Sequence, residues 1–296
     1  MKNLLDCPIF SGQQQAISDL SMKLQQSSVV QIVTPADLQG ILSLIQIEAS
    51  LLDSGINYRR KILPARRHIA GDELSFPDLE GLIILINPFA EPTSNLSIMD
   101  EKILINPIFT EFETESSKNL HQGTLDCVAI CSSIAEAISP EGARVRKVRP
   151  LSISGNWLRQ GVEVNYDPVY SLLRDHLNRE GTLDVRPIVE VENLADDMIP
   201  DLSSRMLKKL AKKWDEMDFD SRSSALSELI LPVLRNPKIS TMKIEELIWH
   251  RLIIPGCAMD IASQLHIALS NWPEDDEKAR LHASMIADKL LIEGYF

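Results

Sequence analysis

Long apolar runs are missing from this chain of 296 residues. The clearest one, Leu82-Ile83-Ile84-Leu85-Ile86, falls far short of the ~18 residues that a membrane-spanning helix needs. Met1 to Phe10 carries one early lysine and no apolar stretch of the ~7–15 residues that a secretory leader uses. The expectation is therefore a cytoplasmic chain. Cysteine is scarce: four in 296 residues do not make a disulfide framework, which fits a reducing compartment. Positive charge is in deficit. Thirty Lys and Arg face 42 Asp and Glu, for a net charge of −12, and both halves share the imbalance. That argues against a protein whose main task is coating nucleic acid, and it confines any such contact to local patches.

Familiar catalytic and nucleotide-binding signatures are absent as well. There is no G-x-G-x-x-G, no Walker A loop, no H-E-x-x-H and no G-x-S-x-G. The six histidines are scattered, with none three or four residues from another, so a structural reading of His68, His250, His266 and His282 is preferred. Cys127 and Cys131 sit four apart among Val128, Ala129, Ile130 and Ile134, which reads as two small buried hydrophobes rather than a metal pair. Glu274-Asp275-Asp276-Glu277 reads as the acidic first turn of a helix.

What is present is an alternation of apolar strands and amphipathic helices. Residues 28–34 read as a strand. Thr34-Pro35-Ala36-Asp37 then opens a helix, with Thr34 as cap, Pro35 at the first position and Asp37 in the first turn. Leu38, Ile41, Leu42, Ile45, Ala49 and Leu52 carry its apolar stripe to about Ser54, and Gly55 ends it. Strands follow at 56–63, 82–86 and 103–105, the last two ending in Asn87-Pro88 and Asn106-Pro107. A helix over 123–138, a strand over 144–148, a short run at 151–154, a helix over 167–179 and a strand over 185–191 complete the pattern. Repeated β-then-α with fully apolar strands predicts an α/β domain with a mostly parallel sheet flanked by helices. After residue 199 consecutive helices punctuated by proline predict a helical domain or appendage over 200–296.

Two basic stretches stand out on this acidic background. Tyr58, Arg59, Arg60 and Lys61 with Arg66 and Arg67 form one; Arg144, Arg146, Lys147 and Arg149 form the other. Such concentration suits a phosphate backbone, especially a single strand, while solvated strand edges paired to carboxylates are the plainer reading.

The order of these pieces resembles the DHH phosphoesterase family, in particular the RecJ-type nucleases, over roughly residues 28–190. That family opens with a strand and a His-x-Asp-x-Asp-Gly turn into a long helix. Here the turn reads Pro35-Ala36-Asp37-Leu38-Gln39-Gly40, so Asp37 and Gly40 match while Pro35 and Gln39 replace a His and an Asp. The strand that should end in a metal-binding Asp ends in Asn87, and the Asp-His-His turn is replaced by Asn106-Pro107-Ile108. Residues 123–137 resemble the helix that follows that turn. The family's Gly-Gly-Gly-His segment has no counterpart, since no Gly-Gly pair occurs.

What the resemblance implies is a degenerate member. Relatives hold two divalent ions that activate water. Hard cations need several charged oxygen or imidazole donors, and only Asp37 survives among the matched positions. The expectation is a pseudoenzyme without metal or cofactor. Its counterparts are the Cdc forty-five subunit of the replicative helicase, which joins GINS and MCM, and the archaeal RecJ-like proteins that associate with GINS. The implied partners are GINS and MCM, with single-stranded DNA as a further ligand of the basic stretches. Two alternatives stand beside it. One is an active metal-dependent phosphoesterase recruiting Asp37 with Asp72, Asp78, Asp100 or Glu111 to Glu115. The other is an unrelated α/β module that binds a small ligand or a protein.

Overall fold

The computed structural model describes residues 3–68, 74–114, 117–159, 167–236 and 239–296. Its centre is a five-stranded sheet in the order β2-β1-β3-β5-β4, built from β1 (Val30–Pro35), β2 (Tyr58–Leu63), β3 (Leu82–Ile86), β4 (Ser97–Met99) and β5 (Lys102–Ile105). β2, β1, β3 and β5 run parallel, and the short β4 joins the edge antiparallel. β1 and β3 are buried along their whole length; β3 reads as an unbroken apolar run for that reason, while in β1 the buried Gln31 side chain donates to the Glu80 carbonyl at 3.1 Å.

Helices cover one face of this sheet. After α1 (Gln14–Gln26), the central helix α2 (Leu38–Ser54) is buried at every residue from Leu38 to Leu51. A helix enclosed on all sides cannot keep a polar face toward water, so its polar side chains turn to internal partners, although the Gln46 Oε1 and both Glu48 carboxylate oxygens find no hydrogen bond among the described residues. Ser43 donates to the Gln39 carbonyl (2.8 Å) and Gln46 to the Val148 carbonyl (3.0 Å). α3 (Cys127–Ile138) packs on α2 and on α1. On the other face, Val33, Ile83 and Leu85 are covered by Leu74, Phe76 and Leu79 from an irregular segment. No helix of the described residues is long and apolar enough to cross a membrane.

Several elements differ from the sequence-based expectation. β1 extends through Pro35 and α2 starts at Leu38 with Asp37, not Thr34, at the cap position. Residues 108–125 form a hairpin, β6 (Ile108–Thr114) with β7 (Ser117–Leu125), so the following helix begins at Cys127 rather than at 123. Residues 144–148 are helical, within α4 (Ala143–Val148), not a strand. The cause is tertiary: the Asp53 carboxylate, from the end of α2, accepts the Arg144 and Val145 amides at 2.8 and 3.1 Å, supplying the acceptor that a helix amino end requires. Residues 149–153 continue as a 3₁₀ turn into α5 (Ser154–Leu158). After α6 (Pro168–Arg179), the expected strand over 185–191 is cut to β8 (Asp184–Arg186), because Pro187 lacks the amide a longer ladder would use.

The remainder comprises α7 (Ser204–Ala211), α8 (Phe219–Ile230), α9 (Thr241–Trp249), β9 (Arg251–Ile253), α10 (Ile261–Ser270) and α11 (Asp276–Glu293). It packs back on the first part: β9 pairs antiparallel with β8, α11 lies on α2, and one apolar core runs from Leu4 to Leu291. Composition changes near 199, but the core does not break there.

Candidate functional site at the carboxyl end of the sheet

β1 has β2 on one side and β3 on the other, so the sheet reverses its direction of growth between β1 and β3. In open α/β sheets such a reversal leaves a crevice beyond the strands' carboxyl ends, where ligands bind. Every position matched to the phosphoesterase motifs falls there. Pro35 ends β1, and Asn87 and Asn106 directly follow β3 and β5. The Asn87 amide bonds the Ile105 carbonyl at 2.9 Å, holding the two ends side by side. Gly40 is required by the tightness of the β1–α2 turn, since a Cβ there would stand 2.6 Å from the Pro35 carbonyl oxygen.

The side chains are committed to the fold in different ways. Asp37 does not cap α2; its carboxylate accepts the Arg66 amide at 2.7 Å. Burial pushes the Asp37 carboxyl up, against that hydrogen bond and the positive charges of Arg67, His68 and Arg66. Gln39 is buried and donates to the Gly155 carbonyl at 3.4 Å. The Asn106 Oδ1 is buried without a partner among the described residues. Over the end of β1, the Trp272 Nε1 donates to the Ala36 carbonyl at 2.9 Å and the His68 ring meets the Glu274 carbonyl at 2.7 Å.

The structure adds a group that the sequence reading passed over. Asp126 caps α3, accepting the Val128 and Ala129 amides at 2.7 and 3.1 Å through Oδ1. Its Oδ2 is buried and unpartnered, and burial pushes its carboxyl up to about 6 against those amides and the Arg159 charge. α5 presses on it so closely that a Cβ at Gly155 would lie 1.8 Å from Oδ1. Beside it, the Ser154 hydroxyl, the Asn156 Oδ1 and an Arg159 guanidinium nitrogen are also buried without partners. Native interiors hold few such atoms. The signal available in sequence was an Asp directly before an apolar helical run, the preferred residue at a helix cap; placing the helix start at 123 hid it.

The donors do not fit a two-metal centre. Pro35 offers none, Gln39, Asn87 and Asn106 offer neutral amides, and Asp37 is tied to the Arg66 amide. Among the described residues no three His, Cys, Asp or Glu side chains gather so as to hold a metal ion. Of the acids considered as relocated ligands, Asp78, Asp100, Glu111 and Glu113 are exposed, and Glu111 accepts from Gln122 at 2.6 Å. Asp72 and Glu115 lie outside the described residues. Cys127 and Cys131 are buried, with their thiols pushed up by desolvation, and Asp275 caps α11.

The basic stretches prove to be largely spoken for. Arg149 is 2% exposed and pairs with Glu180 (2.8 Å) and Glu136 (3.1 Å). It belongs to the interior, which corrects its place in a nucleic-acid face. Arg144 pairs with Asp53 at 3.0 Å, Arg146 with Glu141, and Lys147 donates to the Ile292 carbonyl at 2.6 Å. In the first stretch Arg60 is held between Glu48 (3.6 Å) and Asp288, and Arg67 donates to the Pro273 carbonyl. Tyr58 is half-buried, and Arg66 contributes its amide to Asp37. Arg59 and Lys61 are the exposed cations of β2. No family model matches this chain, and no curated protein matches it.

Proposed function

We propose that this chain is a non-catalytic scaffold of a DNA-replication helicase assembly, built on a DHH-like α/β core that has lost its metal ligands. The observation that carries the reading is the donor set at the β1/β3 crevice. Among the positions matched to the family's ligands Asp37 is the one carboxylate, beside a proline and three amides, and a backbone amide already engages it. A water-activating pair of divalent ions needs several anionic donors, so a fold that keeps the crevice without them is suited to docking. The resemblance to RecJ-type proteins supplies GINS and MCM as partners. Size-exclusion and calorimetry with purified GINS test it: a complex at micromolar concentration is the expected result, and absence of binding refutes the partner. A Mn²⁺ titration is expected to show no tight binding; tight binding lost in Asp37→Ala would overturn the non-catalytic reading.

Asp126 favours a second reading, an α/β module that binds a small ligand at the same crevice. A buried carboxyl with a raised pKa beside unpartnered polar atoms is a mark of functional sites. Asp126→Asn separates the two readings: scaffolding leaves GINS binding intact in this variant, whereas ligand binding there would be lost.

A further inference from the structure

The described chain carries a second basic surface, outside both stretches considered above. At about 100° per residue, Ser204, Lys208, Lys212, Arg205 and Lys209 fall within about 140° of one face of α7 and its continuation. They line a surface groove of about 370 Å³. All five are exposed, and the opposite side of the helix is anchored by buried Leu207 and Trp214. None of the four cations has a hydrogen bond or ion pair among the described residues. That is unusual in a chain of net charge −12, whose other clustered cations are mostly paired.

We infer that this face of α7 docks a short acidic segment of a partner protein. Two observations select that occupant. First, carboxylates flank the cationic face along the chain: Asp196, Asp197 and Asp201 precede it and line a cavity with Ser204 and Leu207, and the exposed Asp215, Glu216, Asp218 and Asp220 follow it. The favourable footprint is only the length of the helix, ~12 Å for Ser204–Ala211. A nucleic-acid strand would have to continue across like charge on either side, whereas a few carboxylates fit inside. Second, the cations stand in two i,i+4 pairs, Lys208 with Lys212 and Arg205 with Lys209. A helix carrying acids at the same i,i+4 interval presents its charges at that ~6 Å spacing. No apolar residue lines the groove, so the contact supplies specificity and speed of association rather than a large affinity. The inference stands on α7 alone and does not depend on the GINS assignment.

Fluorescence anisotropy with the full chain tests it, using a fluorescein-labelled octaglutamate peptide and, in parallel, labelled oligo(dT) at 50 and 200 mM NaCl. The octaglutamate is expected to bind, with Kd raised about ten- to hundredfold by R205E/K208E/K209E/K212E and left unchanged by the control R59E/K61E. Thermal melts of both variants verify folding. Equal octaglutamate binding by the α7 variant and the native chain would overturn the proposal. So would tighter binding of oligo(dT) than of octaglutamate through the same residues, which would make the face a nucleic-acid site. Loss of a native dimer in the α7 variant would instead identify the occupant as a second copy of this chain and overturn the partner assignment.

Discussion

Two basic regions of this molecule look alike on paper and behave oppositely in the fold. Residues 144–149 and residues 205–212 each place four cations within eight residues or fewer. In the first, each cation is engaged: Arg144 by Asp53, Arg146 by Glu141, Lys147 by a carbonyl and Arg149 by two buried glutamates. In the second, Arg205, Lys208, Lys209 and Lys212 point into solvent around an open groove. Charge density along a chain therefore says little about free charge. What matters is whether the acids that could neutralise it are brought alongside, and only packing decides that. The first cluster is cement between α2, α3 and α11; the second is surface.

That contrast can be broken by substitution, and the largest effect belongs to the interior. Arg149→Ala leaves Glu136 and Glu180 buried without their cation, and breaking a buried pair costs about 3–5 kcal/mol. Urea denaturation at pH 7 reads it, and a loss below about 1 kcal/mol would show that Arg149 is not the cement.

The next effect is a pH dependence at Arg60's buried partner. Glu48 has its carboxyl pushed up to about 7 by desolvation, with Arg60 pulling the other way. Between its ordinary value near 4.5 and about 7, the folded state holds a proton that the unfolded state has released. Stability from this group is therefore greatest below pH 4.5 and declines as pH rises through 7, by up to about 3 kcal/mol. Glu48→Gln is expected to flatten the decline in denaturation curves taken from pH 4.5 to 8. Asp126 acts with the same sign between 3.8 and about 6, so the double variant with Asp126→Asn should be flatter still.

A smaller effect is expected at the rim. Arg144→Ala removes a half-exposed pair with Asp53 while the backbone amides of α4 keep theirs, and a loss of about 0.2–1 kcal/mol follows. The smallest belongs to α7: each charge reversal there should change stability by no more than about 0.5 kcal/mol. A larger loss in thermal or urea unfolding would mean that these cations have structural partners after all, and the two regions would no longer differ in kind.

The inner strands of the parallel sheet were legible because β1 and β3 are buried on both faces, whereas β2 keeps Arg59 and Lys61 exposed. Residues 82–86 and 103–105 are apolar throughout, and nothing but a buried strand suits runs so short. α2 was legible from its wide apolar stripe and from Gly55, whose φ of 69° ends the helix in the left-handed conformation. The hairpin over 108–125 was not, because its exposed Glu111 and Glu113 and its polar second strand resemble a loop. α4 was misread for a definite reason. Only Arg144-Val145-Arg146 alternates as a strand would; Val145 and Val148 stand three apart, a helical spacing, and the Asp53 acceptor at the helix start lies 91 residues away.

The candidate site divides along the same line. Asp37, Gln39, Asn87 and Asn106 lie at one end of the sheet, since strand-end positions follow from strand positions. Their roles were not legible. That Asp37 holds the Arg66 amide rather than its own helix, and that Asp126 is the buried titratable group beside them, depends on which loops fold over that end. The sequence by itself determined the α/β class, the parallel strands and the poverty of anionic donors at their ends, since burial pattern and residue type are local properties. The pairing of charges was decided by the tertiary structure alone. A free or a neutralised arginine has the same neighbours in sequence, and the acid that distinguishes them is set beside it only when distant segments pack.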